Sequence, residues 1–372
     1  MCEVCPYVRL SALNSGETKC VIFVSDEGQA RRELEPYSSS ILYSYPFISG
    51  YGAVVNVHTL DDLSRLPCVK AIAPHTTVSA CYMPPTSSVG AELLYKEGIY
   101  GEGVTVAVID TGVKPHIDLM MPRMRIEFCD FIGGEKAPYD DNGHGTAVSS
   151  ILCGNGLVSG GIFRGLAPKA DLIALKAIGS GGEGGTFSIL EAMQWCYSNR
   201  EKYGIKVICM SFGSDPVDGV DPLSLGAEAL WKSGITVVAS AGNDGPKSGT
   251  VKSPGVCPNI ITVGGADFSG GKTVVADFSS RGFKDKQNKP DIIAPSVDIA
   301  CCGIESDYIA LSGTSMAAPI VSGAAALMLS KNPALTPDRI KEILLSTASA
   351  VDADKSAAGY GLLDLRGVLD EI

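Results

Sequence analysis

Val104-Thr-Val-Ala-Val-Ile-Asp-Thr-Gly-Val113 is a nearly continuous β-branched run that stops at an acid and a glycine turn. A strand buried on both faces reads this way, whereas a half-buried strand alternates apolar and polar residues. Similar runs recur at Asp171-Leu-Ile-Ala-Leu175, Lys206-Val-Ile-Cys-Met210, Ile235-Thr-Val-Val-Ala239 and Asn259-Ile-Ile-Thr-Val263. Between some of them, Phe187 to Asn199 (with Thr186 as N-cap) and Pro222 to Ser233 have amphipathic helical spacing. The expectation is an α/β domain with a mostly parallel central sheet covered on both faces. Ligands in such sheets bind beyond the carboxyl ends of the strands.

The first eighty residues have a different grammar. Lys19-Cys-Val-Ile-Phe-Val24 reads as a strand and Asp26 to Leu34 as a short helix. Ile48 to Val57 is strand-like, Thr59 to Leu66 a helix capped by Thr59, and Val69 to Ala73 a closing strand. This predicts a small α+β unit of βαββαβ, ferredoxin-like type. Pro84-Pro85-Thr-Ser-Ser88 reads as the linker behind it.

Composition limits the function. A net charge of -11 argues against general binding to nucleic acid or to an anionic membrane surface. No window is long and apolar enough to span a bilayer, and Met1-Cys-Glu-Val-Cys-Pro6 has no basic segment leading into an apolar one. The twelve cysteines include several in apolar runs, Cys153, Cys196, Cys209 and Cys301, where a thiol behaves as a small hydrophobe. Reduced thiols in a cytoplasmic setting are therefore expected. Cys2 and Cys5 form a CxxC pair with no second pair at zinc-finger spacing, so no metal ligand set is assigned.

Four motifs lie where the sheet rule wants chemistry. Asp110 ends the opening run, and His144 stands between glycines in Asn142-Gly-His-Gly-Thr-Ala147. Asn243 follows a strand in Val238-Ala-Ser-Ala-Gly-Asn-Asp-Gly245, and Ser315 lies in Gly313-Thr-Ser-Met-Ala-Ala-Pro319 at the mouth of an apolar helical run. Singly, Asp110 and Ser315 could be N-caps, His144 a structural histidine and Asn243 a turn residue. Together, in the order Asp, His, Asn, Ser, the four resemble subtilisin-like serine proteases of the subtilase family. Asp277-Phe-Ser-Ser-Arg-Gly282 and Lys289-Pro-Asp-Ile-Ile-Ala-Pro295 are also typical of that family, and the resemblance spans about residues 89 to 365. The chain order and the amide donor are the family's own signature, not a deduction from these residues.

The resemblance implies a three-layer subtilisin-like catalytic domain over residues 84–372 and an inhibitory, fold-assisting propeptide over residues 1–83. Ser315 would be the nucleophile, His144 its base, Asp110 the group that orients the imidazole, and Asn243 the oxyanion donor beside the Ser315 backbone N–H. Residues His75 to Met83 would lie in the cleft, with self-cleavage near Ala80. Ser211, Phe212 and Gly213 on one side, and Ala241 and Gly242 on the other, would bind the substrate chain. Lys252 would stand at the base of the S1 pocket, narrowing it or favouring a polar or acidic P1 side chain.

Two departures matter. Ala147 stands where many members carry a second histidine, and Cys153 to Gly165 lacks the asparagine-rich calcium loop of secreted relatives. That loop points to the intracellular, AprX-like branch, with no required cofactor and weak calcium binding at most. Asp140-Asp141-Asn142 is a candidate for such a site on charge alone, and solvated acids are the preferred reading. The partners implied are a peptide or protein substrate and the chain's own propeptide. The competing functions are a silent pseudoprotease that binds peptides and a maturation protease dedicated to one leader peptide.

Overall fold

Asp26 and Asn56 set where two N-terminal helices begin in the computed structural model, which describes residues 2–75, 84–120, 126–283, 289–305 and 308–372. Asp26 accepts from Gln29 N at 2.6 Å and Asn56 from Thr59 N at 2.9 Å. Each side chain satisfies a donor that a helix's first turn leaves bare. The second helix therefore starts two residues before the expected Thr59 and takes its cap from Asn56.

The chain divides into two compact units, Met1–Val78 with Glu305–Asp307, and Ser79–Ile304 with Tyr308–Ile372. The first contains β1 (Glu3–Val4), α1 (Pro6–Ser15), β2 (Thr18–Val24), α2 (Glu27–Glu33), β3 (Ile41–Tyr45), β4 (Gly50–Val55), α3 (Val57–Arg65) and β5 (Val69–Pro74). Its sheet order is β1-β5-β2-β4-β3, with β2 antiparallel to both neighbours. From β2 onward this is the βαββαβ order expected, and β1 and α1 precede it. Val8, Ile22, Leu60, Leu63 and Ile72 are buried together as its core. The expected cleft segment, from residue 76 on, and the cut near Ala80 lie outside the described residues.

The second unit opens with α4 (Pro85–Ser88), a single turn where a linker was expected, and α5 (Ala91–Lys96). There follow β6 (Thr105–Asp110), α6 (Ile117–Met120), β7 (Ile126–Asp130), α7 (His144–Cys153), β8 (Asp171–Lys176), α8 (Thr186–Tyr203), β9 (Ile205–Met210), α9 (Pro222–Lys232) and β10 (Thr236–Ser240). The remainder is β11 (Ile261–Asp267), β12 (Val274–Val275), β13 (Ile292–Pro295), β14 (Ile299–Cys302), β15 (Tyr308–Leu311), α10 (Thr314–Lys331), α11 (Pro337–Ser346) and α12 (Lys355–Ala358). All five apolar runs are strands of one sheet, ordered β12-β11-β10-β9-β6-β8-β7 with β13 also on β11. Every pairing in it is parallel except β11 with β12.

Helices α7 and α10 pack on each other over one face of this sheet, and α8 and α9 pack on each other over the other. Every residue of β6 is consequently buried, which is why its sequence does not alternate. Thr186 lies inside α8 without capping it, whereas Asp221 caps α9 by accepting from Leu223 N at 3.1 Å. Helix α10 begins at Thr314, so Ser315 lies in its first turn and Pro319 in its second.

Replacing Asn56 by Ala removes a cap of about 1 kcal/mol, so exchange protection of the α3 amides should fall about fivefold. Unchanged exchange across α3 would contradict the assigned cap.

Candidate active site

Strands β6 and β9 are neighbours where the strand order reverses, with β8 and β7 to one side and β10 and β11 to the other. The crevice beyond the carboxyl ends of such a pair is the natural ligand site of an open α/β sheet. Asp110 is the last residue of β6, and Ser211 follows the last residue of β9.

His144 opens α7 behind Gly143, which takes φ +103°. Its neighbour Gly145 leaves no room for a side chain, since a Cβ there would stand 2.2 Å from Gly112 O. That close approach brings the start of α7 onto the end of β6. His144 Nδ1 lies 2.7 Å from Asp110 Oδ1, which also accepts from Thr111 N at 2.7 Å. An ionised carboxylate only accepts, so the proton sits on Nδ1 and the neutral ring keeps its lone pair on Nε2. Asp110 is 1% exposed and the His144 side chain 29%, so the acid is sheltered while the base reaches solvent. Burial opposes charge on the imidazole, but the adjacent Asp110 carboxylate and the charge of Asp140 outweigh it and raise the His144 pKa above its ordinary value.

Asp140 holds this pair in place. Its buried carboxylate accepts from Thr111 Oγ1, Asn142 N, Gly143 N, Thr146 N and Thr146 Oγ1, at 2.6–3.1 Å. Burial pushes its pKa up, and these hydrogen bonds outweigh burial and hold it below the ordinary carboxylate value. The stability this contributes is present above the unfolded-state pKa and is lost as pH falls through the folded one. Asp141 pairs with the buried Lys176 at 2.6 Å, and Lys176 Nζ also donates to Thr111 O at 2.7 Å. Asp140 is thus committed to protein donors, whereas Asp141 and Asn142 are exposed, as expected of solvated groups.

Ser315 meets Ser211 through two reciprocal bonds. Pro319 has no N–H, so the Ser315 carbonyl lacks its partner four residues on in α10. Ser211 Oγ donates to that carbonyl at 3.0 Å, and Ser315 Oγ donates to Ser211 O at 2.8 Å. The Ser315 segment is thereby tied to the end of β9. The hydroxyl rests on Ser211 rather than on His144.

Asn243 is oriented by Thr314, whose N and Oγ1 both donate to its side-chain oxygen, at 2.9 and 3.0 Å. The Nδ2 end is left as the donor. A Cβ built on Gly313, at φ +152°, would lie 3.4 Å from Asn243 Nδ2 and 3.8 Å from Ser315 N. Glycine therefore keeps open a small space flanked by both expected oxyanion donors.

The remaining expected residues lie on the two segments that meet at Lys252. Lys252 N donates to Ala241 O at 2.9 Å, and Ser253 and Ser214 exchange backbone bonds at 2.9 and 3.0 Å. The Lys252 stem fills the gap between the two segments, its Cβ 2.6 Å from where a Gly213 Cβ would be and its Cγ 2.6 Å from that of Gly242. Its ammonium pairs with both Asp215 and Asp244, which raise its pKa. Phe212 is half-buried, and Ser211 and Ala241 are buried. Met316 is also buried, at 2% exposure, so its thioether is screened from solvent despite lying next to Ser315.

Sequence reading missed the residues that position these groups: Thr111, Asp140, Lys176 and Thr314. Thr314 is adjacent to the nucleophile and Thr111 to the acid, so proximity was their one signal. The bond from Thr111 to Asp140 and the Lys176–Asp141 pair span 29 and 35 residues of chain, which no local pattern reports.

Because the folded-state pKa of His144 is raised, its protonated pair with Asp110 lends stability at low pH that fades as pH rises through that value. In a Ser315→Ala chain followed by NMR, His144 should titrate above about 6.5, and Asp110→Asn should lower that pKa. A wild-type value at or below the ordinary one contradicts the assigned pairing.

A Subtilase family model matches residues 101–361. The chain is 38% identical over 337 residues to "Serine protease AprX" of Bacillus subtilis (strain 168), covering 83% of this chain and 75% of that one. It is 30% identical over 345 residues to the "Thermostable alkaline protease" of Halalkalibacterium halodurans, covering 92% and 89%. The solved structure of "Sphericase" superposes with a TM-score of 0.64 at 31% identity, covering 73% of this chain and 97% of the other. The acid, base, hydroxyl and amide assembled at one strand-order reversal agree with these likenesses: the chain belongs to the subtilase family of serine proteases.

Proposed function

We propose that Asp110, His144, Asn243 and Ser315 carry endopeptidase chemistry through an acyl-enzyme, in a chain made as a self-processing zymogen. The reading rests above all on the Asp110–His144 contact of 2.7 Å at the carboxyl end of β6. Nδ1 is committed to the acid, which leaves Nε2 as the basic nitrogen. Ser315 Oγ releases Ser211 O, a bond worth about 1 kcal/mol net, and passes its proton to Nε2 as it attacks the scissile carbonyl. Asp110 stabilises the imidazolium that results. The developing oxyanion takes hydrogen bonds from Asn243 Nδ2 and Ser315 N in the space kept by Gly313. His144 then gives its proton to the leaving amine, and water repeats the sequence to free Ser315 and the acid product. The reaction as written draws on protein groups alone, and calcium has no step in it.

Ser211, Phe212, Gly213, Ala241 and Gly242 are assigned to the substrate chain, with Lys252 between their two segments. One ammonium between two carboxylates leaves a net negative charge, so an acidic P1 side chain is disfavoured. Of the two expectations for Lys252, narrowing is the one retained.

Residues 1–83 are assigned as the propeptide, an intramolecular inhibitor and folding aid. Support comes from a first unit with its own core and from a match to the alkaline protease that covers 92% of the chain, too much to be confined to the second unit. Eight of the eleven free cysteines among the described residues are buried, which supports a reducing, cytoplasmic setting.

Intact-mass analysis of purified protein should reveal two fragments joined near residue 80 in the wild type and one uncut chain in Ser315→Ala. A wild type that stays whole while hydrolysing peptides would refute the zymogen assignment alone. Thr314→Val should lower kcat by about tenfold with KM nearly unchanged, since the amide loses its orientation but not its place; Asn243→Ala should lose about 10²–10³, the scale known for the corresponding subtilisin amide. Equal losses in KM would mean that these residues bind substrate rather than the transition state. Lys252→Gly should extend cleavage to larger P1 side chains in a peptide library, and an unaltered profile removes Lys252 from the pocket.

A further inference from the structure

The second unit carries a cluster of chemistry that the peptidase reaction does not use. His116 precedes α6, Asp118 lies within it, and Cys302 ends β14; they are 2%, 1% and 1% exposed. One ligand atom from each, a ring nitrogen, a carboxylate oxygen and a thiol sulfur, lie within 4.8 Å of one another. Cys302 Sγ is 3.3 Å from His116 Nδ1. We propose that His116, Asp118 and Cys302 bind one thiophilic divalent cation, with Zn²⁺ the best fit.

The spacing suits a small ion. A point equidistant from three atoms that close together lies at most about 2.8 Å from each, so shifts of roughly half an ångström reach zinc bond lengths of about 2.0–2.3 Å. The donor set excludes calcium, which takes six to eight oxygens, and the sulfur and imidazole favour zinc. On binding, the Cys302 thiol gives up the proton that burial otherwise holds on it. The fourth position falls to water or to the Tyr308 phenol, which already donates to Asp118 Oδ2.

Surrounding bonds hold two of the three ligand residues, and Asp118 N donates to His116 Nδ1 at 3.1 Å, a bond that gives way if that nitrogen takes the ion. Val158 N donates to Asp118 Oδ1 at 3.0 Å, and Cys302 N donates to Ser150 Oγ at 2.9 Å. Those partners give the ion its consequence. His116 follows the Asp110 strand, Ser150 lies on the helix that begins with His144, and β15 from Tyr308 leads directly to Ser315. One ion would therefore crosslink the segment that follows Asp110 to the β14–β15 pair that leads to Ser315, with the His144 helix tied to that pair through Ser150. Such a crosslink would stiffen a unit whose described cysteines are all free.

The test uses the full chain as Ser315→Ala, stripped with chelator and titrated first with Co²⁺ and then with Zn²⁺. A thiolate-to-cobalt charge-transfer band should saturate at about one ion per chain, be displaced by Zn²⁺, and accompany a rise in Tm. Cys302→Ser should abolish the band and cut uptake at least about tenfold, while Cys301→Ser and the Cys2→Ser/Cys5→Ser pair retain both. No charge-transfer band in the parent chain overturns the proposal whether or not Cys302→Ser folds. A band that survives Cys302→Ser, or disappears with Cys2 and Cys5, overturns it as well.

Discussion

One buried carboxylate fixes the working geometry. Asp140 gathers five hydrogen bonds from the loop before His144, from the first turn of α7 and from Thr111 beside Asp110. It joins the start of α7 to the end of β6 together with the Asp110–His144 contact and the bond from Gly145 N to Thr111 Oγ1 at 2.8 Å. A buried charge is costly unless it is fully hydrogen-bonded, so this arrangement has few alternatives of similar energy. The contact at Gly145, where any Cβ would strike Gly112 O, enforces the same approach sterically.

The nucleophile half is fixed by a different device. Pro319 deprives the Ser315 carbonyl of its helical donor, and Ser211 supplies one from the neighbouring strand end. The same two residues share a second bond through the Ser315 hydroxyl. The proline that looks like a defect in α10 thus creates the attachment point that places Ser315 over β9. Thr314 completes the arrangement by turning the Asn243 amide so that its N–H end remains available.

The sheet was legible in the sequence because a parallel strand covered on both faces must be apolar throughout, and β6, β8, β9, β10 and β11 all are. Helix limits were less legible where caps compete: Asn56 and Thr59 both look like caps, and only the chain's path chooses between them. Asp110, His144, Asn243 and Ser315 were readable as a set because each sits in a short glycine-containing motif. Lys252 was readable as a residue but not as a charge, since Asp215 and Asp244 reach it from separate loops. Asp140 looked like a solvated acid because nothing local reveals that it is buried.

The central claim is that Ser315 is a nucleophile activated by His144 and oriented through Asp110. Treating the chain with a fluorophosphonate and mapping the adduct by peptide mass tests it most directly. The account predicts one adduct, on Ser315, absent in Ser315→Ala and formed far more slowly in His144→Ala. An unlabelled wild type, or an adduct on another residue, would contradict it.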